Sequence, residues 1–226
     1  MIKILKNIRK KDAEWLSSVL LEWWTHNKRT FPWRETIEPY EILISELLLR
    51  KTTAQQVADI FPEFLKRYST PKRLLEDDEG RINELVLHLG LEHKRTALLK
   101  LFAKHIMDNY NGRIPKSKTA LVAIPGVGEY AANAVLCFSY GKDMPTVDTN
   151  FIRLMHRFFG IRSEKTRPRN DPWLWKKARK IIPKGKGREF NYAVLDFCAS
   201  ICTARNPDCS ICPAAKKCRY AKEKGL

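Results

Sequence analysis

The sequence contains no long apolar run. A membrane-spanning helix needs roughly eighteen or more consecutive apolar residues, and the richest segment here, Ile42 to Leu49, is interrupted by Ser45 and Glu46. The first six residues, Met1 to Lys6, also lack the apolar core and the small-residue cleavage site of a secretory signal. We therefore expect an intracellular protein without a membrane span.

Strand patterns are missing as well. No segment alternates convincingly between apolar and polar residues, and there is no internal repeat or low-complexity tract. Apolar residues instead recur at three- and four-residue spacing, as in the stripe formed by Leu16, Val19, Leu20 and Trp23. Breaks between the predicted helices fall at residues 30–34, 69–71, 111–112, 125–128, 141 and 183–187. The pattern predicts an all-α fold.

Acidic residues are scarce relative to basic ones. The chain carries 25 Asp and Glu against 42 Lys and Arg, which gives a formal net charge of +17. Because basic side chains that neutralise phosphates release counterions, this excess favours a nucleic acid partner. A surface that is basic only for solubility would need less charge than this.

Cysteine is concentrated near the end of the chain. Cys202, Cys209, Cys212 and Cys218 are separated by six, two and five residues. Intracellular proteins seldom hold such thiols as disulfides, so the spacing indicates a metal centre. Zinc sites usually pair two short Cys knuckles, whereas only one is present here. Four closely spaced thiolates therefore favour a 4Fe–4S cluster over zinc.

A glycine-containing turn lies in the middle of the chain, at Pro125-Gly126-Val127-Gly128. Two glycines permit a tight turn, and the helix predicted after it presents backbone N–H groups without helical partners. Such groups can bind a phosphate without sequence preference. Taken alone, the same residues also suit an ordinary connection between helices.

Asp148 lies in the segment Thr146 to Arg153, immediately before another predicted helix. Cleavage of an N-glycosidic bond develops positive charge on the sugar, which a fixed carboxylate can stabilise. Aspartate is also a common helix N-cap. The two roles are compatible, because a cap holds the carboxylate rigidly.

The turn, Asp148 and the cysteine spacing together resemble the helix–hairpin–helix DNA glycosylase superfamily, which includes endonuclease III and MutY. The resemblance implies one helical lobe of residues 30–145 that ends in the helix–hairpin–helix motif. It implies a second lobe of residues 1–29 plus 146–226, with the cluster loop at 202–218. It further implies a crevice between the lobes that binds double-stranded DNA, a 4Fe–4S cluster, a monomer and a catalytic role for Asp148.

Tyr130 stands where bifunctional members of this superfamily carry a lysine nucleophile. A phenol cannot form a Schiff base with the sugar, so the resemblance implies a monofunctional enzyme without an efficient strand-cleaving lyase step. The alternative for Tyr130 is an aromatic side chain that packs against the pocket wall.

Glu46 is predicted in an apolar helix, with Ile42, Leu43 and Leu49 as its neighbours on the same face. Partial burial would raise its pKa and allow it to donate a proton to the departing base. The alternative is an exposed ion pair with Arg50. In the resemblance, Glu46 aligns with a glutamate that MutY-like enzymes use on the substrate base.

The choice of base depends on local differences from MutY. Residues 47–53 look closer to archaeal Mig-type thymine–DNA glycosylases, which act on T·G and U·G mismatches. Adenine glycosylases usually carry two glutamines in place of Arg50 and Lys51, and a further C-terminal domain, whereas this chain stops at Leu226. We therefore expect thymine or uracil opposite guanine to be excised, with adenine excision as the alternative.

Flipping a base leaves a gap in the duplex that the protein must fill. Arg50, Lys51 and the loop Gly90 to His93 are candidates, and Leu91 is the apolar plug that the resemblance implies. The alternative for Leu91 is an ordinary core leucine. A different class of function, a DNA-binding iron–sulfur scaffold without chemistry, also stays open, although Asp148 and Glu46 argue against it.

Overall fold

The computed structural model describes residues 7–225, whose regular elements are all helices. The predicted all-α fold is confirmed for this part of the chain. The expectation about a secretory signal concerns Met1 to Lys6, which lie outside the described residues. None of the helices described is both long enough and apolar enough to cross a membrane.

The described residues form twelve α-helices. They are α1 Lys10–Asn27, α2 Pro39–Leu48, α3 Ala54–Arg67, α4 Pro71–Glu76, α5 Glu79–Val86, α6 Glu92–Tyr110, α7 Lys118–Ala123, α8 Glu129–Phe138, α9 Thr149–Phe159, α10 Pro172–Arg179, α11 Gly187–Ser200 and α12 Arg219–Glu223. Short 3₁₀ helices occur at Pro32–Arg34, Leu87–Leu89, Pro168–Asn170 and Ala215–Lys217.

The chain divides into two compact units. One unit is the continuous segment Thr30–Tyr140, and the other combines the described residues up to Arg29 with those from Gly141 onward. The Thr30–Tyr140 unit contains α2 to α8, and the discontinuous unit contains α1 and α9 to α12.

The core of the Thr30–Tyr140 unit is built around two apolar helices, α2 and α8, which pack together. Ile42, Leu43, Ile44 and Leu47 of α2 are all buried, so α2 is apolar on most of its surface because other helices cover it. Helices α4 and α5 pack against the long helix α6.

The core of the discontinuous unit forms where α11 packs against α1 and α9. Leu16 and Leu20 of the predicted α1 stripe are fully buried there, beside Phe151 of α9 and Phe190 of α11. Helix α9 is strongly amphipathic, because its apolar residues recur every three or four positions. This packing fixes the start of α9, and with it Asp148.

The loop expected at Gly90 to His93 is shorter than the sequence suggested. Helix α6 begins at Glu92, so His93 already lies in its first turn. The carbonyl of Leu91 accepts a hydrogen bond from the Arg95 N–H at 2.8 Å, which begins the helix. Leu91 itself has the left-handed conformation, with φ of 56°.

Candidate active site and its supporting contacts

Asp148 is the N-cap of α9 and uses both carboxylate oxygens. Oδ1 accepts a hydrogen bond from the Phe151 N–H at 2.8 Å, and Oδ2 accepts one from the Asn150 side chain at 2.6 Å. The side chain is half-buried. The capping bond and the Asn150 contact therefore hold the carboxylate in one orientation.

A buried asparagine supports the segment that leads to Asp148. Asn191 of α11 accepts hydrogen bonds from the N–H and the hydroxyl of Thr146, both at 2.9 Å. Its amide nitrogen donates to the carbonyls of Met144 and Gly187, at 2.9 and 2.8 Å. All four hydrogen-bonding positions of this amide are occupied, so residues 144–146 are fixed to α11.

A chain of hydrogen bonds connects Asp148 with the cysteine-rich segment. Asn150, which donates to Asp148, accepts a hydrogen bond from Arg153 Nη2 at 2.8 Å. Arg153 also donates to the backbone carbonyls of Cys198 and Cys202, at 2.9 and 2.8 Å. The guanidinium thus braces both the carboxylate site and the start of the cysteine-rich loop.

Opposing effects act on the pKa of Asp148. Burial raises this pKa above its ordinary value, since a carboxylate loses hydration in a low-dielectric environment. The hydrogen bonds from Phe151 and Asn150, and the positive charge of Arg153, lower it in part. The net direction is upward.

The four clustered cysteines line a single apolar pocket, together with side chains of α9 and α11 such as Leu154, Phe158 and Phe197. Their pKa values differ. A hydrogen bond with Cys198, followed by the Arg157 guanidinium, lowers the pKa of Cys202 to about 6, whereas burial raises that of Cys212 to about 11. Burial also raises the pKa values of Cys209 and Cys218.

Arg157 stabilises the loop around this pocket. It donates to the Cys202 sulfur at 3.4 Å and to the carbonyls of Thr203 and Ala204 at 2.6 and 2.9 Å. Its guanidinium also lies 4.9 Å from the centre of the Tyr220 ring. Among residues 7–225, no three His, Cys, Asp or Glu side chains form a group that could hold a metal ion.

The predicted turn joins α7 to α8, with Ile124 ending the first helix and Gly128 preceding the second. The Val127 N–H donates to the Ile124 carbonyl at 3.0 Å, and the Val127 side chain is buried. Gly126 has φ of +81°, and a Cβ added there would lie only 2.8 Å from Leu98. Glycine is therefore required at this position, while Pro125 is half-buried.

The start of α8 has no side-chain cap. The first N–H groups of a helix have no partner inside it, and they form a partial positive charge. Glu129 in the first turn would repel an anion, but Lys118 of α7 forms an ion pair with it. Gly128 is exposed, so this helix start is open to solvent.

Glu46 and Tyr130 both lie in the Thr30–Tyr140 unit, and each is half-buried. Glu46 follows Ser45 on α2, one turn after the buried Ile42. Tyr130 is the second residue of α8 and so adjoins the uncapped helix start. Asp148 lies in the discontinuous unit.

The three predicted wedge residues, Arg50, Lys51 and Leu91, line one pocket of about 200 Å³. Leu91 is 48% exposed, so it is not a core leucine. Sequence patterns did not single out Lys94 or Arg95, although both line this pocket. Nor did they indicate a role for Asn191 or Arg153, since nothing in the local sequence of these residues shows which distant carbonyls they bind.

Comparisons with known proteins identify relatives of this chain. A model of the HhH-GPD superfamily of base excision DNA repair proteins matches residues 44–180. A thymine-DNA glycosylase of Aeropyrum pernix is 46% identical over 204 residues, covering 89% of this chain and 92% of that protein. A thymine/uracil-DNA glycosylase of Pyrobaculum aerophilum is 43% identical over 199 residues, covering 87% and 86%.

Among solved structures, that of a thermostable thymine-DNA glycosylase is similar to this chain with a TM-score of 0.90. The two are 38% identical, and the match covers 94% of this chain and 98% of the other. The family expected from the sequence is thereby confirmed. This chain belongs to the HhH-GPD superfamily of base excision DNA repair proteins.

Proposed function

We propose that this protein is a DNA glycosylase that hydrolyses the N-glycosidic bond of thymine or uracil opposite guanine and leaves an abasic site. The observation that carries the proposal is the carboxylate of Asp148, which its capping bond fixes at the start of α9. The names of the two relatives, a thymine-DNA and a thymine/uracil-DNA glycosylase, support the choice of base.

Asp148 acts on the sugar. As the bond to the base breaks, positive charge develops at the sugar, and the ionised carboxylate stabilises it or orients the attacking water. Because the Phe151 N–H and the Asn150 amide already orient the carboxylate, little reorganisation is needed during the reaction. Glu46 assists the departing base by donating a proton or a hydrogen bond.

The enzyme is proposed to be monofunctional. A lyase step needs an amine that forms a Schiff base with the sugar, and the motif position holds Tyr130, whose phenol cannot. Tyr130 is placed next to the start of α8, where it can contact the flipped nucleotide.

Duplex DNA is bound through the turn Pro125 to Gly128 and the uncapped start of α8. The N–H groups there bind a backbone phosphate, and the net charge of +17 attracts the duplex as a whole. Arg50, Lys51 and Leu91, which line one pocket, fill the gap that the flipped base leaves. The expected crevice and the monomeric state stay predictions.

The four cysteines at 202–218 are proposed to hold a 4Fe–4S cluster. All four line one apolar pocket, so their sulfur atoms are available to one shared centre. The hydrogen bond with Cys198 and the Arg157 guanidinium lower the pKa of Cys202, which favours the thiolate form that binds metal. The cluster would stabilise the loop that Arg153 and Arg157 brace. Brown protein with iron–sulfur absorbance is expected, and colourless protein with stoichiometric zinc would contradict it.

Incubation with defined duplexes tests the function. Duplexes containing T·G, U·G, A·G or A·oxidised-G are treated with the protein and then with alkali, which cleaves at abasic sites. We expect thymine and uracil release, with no strand breaks before alkali. Adenine release would assign an adenine glycosylase, binding without product would assign a scaffold, and breaks before alkali would contradict monofunctionality.

A further inference from the structure

Arg95, on the first turn of α6, is 5% exposed and donates five hydrogen bonds, all of them to backbone carbonyls. Nη1 donates to the carbonyls of Leu47 at 3.2 Å and Leu48 at 2.8 Å. Nη2 shares its two hydrogens among three carbonyls, those of Arg50 at 3.1 Å, Leu89 at 3.3 Å and Gly90 at 3.3 Å. A buried cation that binds only carbonyls is costly unless each contact is well made.

The five carbonyls belong to two separate loops and one helix end. The first loop, residues 49–53, joins α2 to α3, and the second loop, residues 87–91, joins α5 to α6. Leu47 and Leu48 are the last residues of α2, where carbonyls lack helical partners and carry partial negative charge. One guanidinium therefore connects the end of α2 with both loops.

Each loop contains a non-glycine residue in the left-handed conformation. Lys51 and Leu91 both have φ of 56°, a conformation that is unfavourable for residues with a Cβ. Arg95 Nη2 binds the carbonyls of Arg50 and Gly90, which are the residues immediately before them. The same nitrogen thus holds the peptide group preceding each strained residue.

A second contact joins the loops. Gln56 forms a capping box with Thr53 at the start of α3. Its amide nitrogen donates to the carbonyl of His88, in the second loop, at 3.0 Å. Arg95 and Gln56 therefore connect the two loops at different points.

The loops present one surface. Their pocket is lined by Arg50, Lys51 and Leu91 together with Lys94, and no acidic residue lines it. The exposed apolar side chain of Leu91 is accordingly flanked by three cations. This combination suits an apolar group that enters a base stack while the cations contact the surrounding phosphates.

We infer that Arg95 is a positioning residue for base flipping: it locks the two loops so that Leu91, Arg50 and Lys51 enter the duplex as one unit. The inference rests on the proposed function. Lysine cannot replace arginine here, because a single ammonium lacks the planar fork that reaches carbonyls on both loops.

Fluorescence of a stacked base tests this inference without chemistry. The probe is a duplex with 2′-fluorodeoxyuridine opposite guanine, which resists bond cleavage, and 2-aminopurine beside it, whose fluorescence rises when it unstacks. We expect the wild-type protein to raise this fluorescence, and Arg95→Lys at saturating protein to raise it at least about fivefold less. Binding to a fully matched duplex should change less than about twofold, since phosphate contacts dominate it.

Lys100→Met is the matched control. Lys100 also lies on α6 and donates to carbonyls, those of Leu75 and Asp77, which belong to neither loop. We expect this variant to lose folding stability but to keep the fluorescence rise. An equal loss in both variants would show that Arg95 is only structural, and a normal rise with Arg95→Lys, or no rise with the wild type, would overturn the inference directly.

Leu91→Gly provides a variant that should fold well, because glycine accepts the positive φ. We expect Leu91→Gly to lose the fluorescence rise while its denaturation midpoint is no lower than that of the wild type. A fluorescence rise equal to that of the wild type would contradict the inference. Base release from an ordinary U·G duplex is measured separately. Unstacking by the wild type without base release would reject the proposed glycosylase, and a loss of that unstacking in Arg95→Lys but not in Lys100→Met would still support the role of Arg95.

Discussion

The residues that precede α8 and α9 have nearly the same backbone dihedral angles, but only one of them caps its helix with a side chain. Gly128, before α8, has φ of −93° and ψ of −176°, and Asp148, before α9, has φ of −102° and ψ of −171°. Asp148 caps its helix with a carboxylate, whereas the start at Gly128 has no side-chain cap. One helix start is capped by an anionic side chain, and at the other we propose that the helix start binds an external anion.

The surroundings reinforce this difference. A Cβ added at Gly128 would meet no atom within 4 Å, so backbone geometry does not demand glycine there. Asp148 is held by Asn150 and the Phe151 N–H, and the segment before it by Asn191. Phosphate binding requires an open helix start, whereas a catalytic carboxylate requires a fixed one.

The largest expected effect comes from removing the negative charge of Asp148 at the start of α9. Asp148→Asn keeps a capping side chain but loses the carboxylate. We expect base release to slow at least about a thousandfold, which corresponds to about 4 kcal/mol of barrier, with DNA binding largely kept. Single-turnover kinetics measure it.

Asp171→Asn is the matched control for that substitution. Asp171 caps α10 through the Trp173 N–H at 3.0 Å, in the same unit. Its substitution should leave the rate within about twofold, since it lacks any proposed contact with the reacting sugar. A similar loss in both variants would attribute the Asp148 effect to altered helix capping.

A smaller effect, on DNA affinity, is expected when a carboxylate is introduced at Gly128, before the uncapped start of α8. Gly128→Asp would copy the cap of α9 and place a negative charge at the proposed phosphate site. We expect DNA affinity to fall by about fivefold, near 1 kcal/mol, with folding stability equal or slightly higher. Equilibrium binding measures it, and Gly128→Asn separates the charge from the cap. If Gly128→Asp bound DNA with unchanged affinity, the start of α8 would not be part of the DNA-binding site.

The smallest effect is a shift in pH dependence. The ionised form of Asp148 is needed, and burial raises its pKa, so base release should fall on acidification at a higher pH than for an exposed aspartate. Asn150→Ala removes a hydrogen bond that lowers this pKa, so the midpoint should move further upward. Asn109→Ala, an exposed asparagine on α6, should not move it. A downward shift of the midpoint with Asn150→Ala would contradict the assignment that the Asn150 hydrogen bond lowers the pKa of Asp148.

The sequence predicted those features that depend on neighbouring residues. The apolar spacing predicted the helical fold and the stripe of α1, in which Leu16 and Leu20 are buried and Val19 and Trp23 partly buried. The two glycines around Val127 predicted the turn before α8. The position of Asp148 before a helix predicted its cap, which the structure contains. These features follow from local backbone preferences, so no knowledge of distant contacts was needed.

Features that depend on distant contacts were not predictable from local patterns. Arg95 binds carbonyls up to 48 residues away in the chain, and Asn191 holds a segment 45 residues away. The start of α6 was also misplaced: the sequence predicted a loop from Gly90 to His93, whereas the helix begins at Glu92, after Leu91 in the left-handed conformation.

The most direct test of the contrast between the two helix starts is one concentration series of single-turnover base release from a U·G duplex. It gives a maximal rate and a half-saturating protein concentration for the wild type, Asp148→Asn and Gly128→Asp. We predict that Asp148→Asn lowers the maximal rate alone and that Gly128→Asp raises the half-saturating concentration alone. A maximal rate for Asp148→Asn close to that of the wild type would contradict the account, because Asp148 would then be only a helix cap.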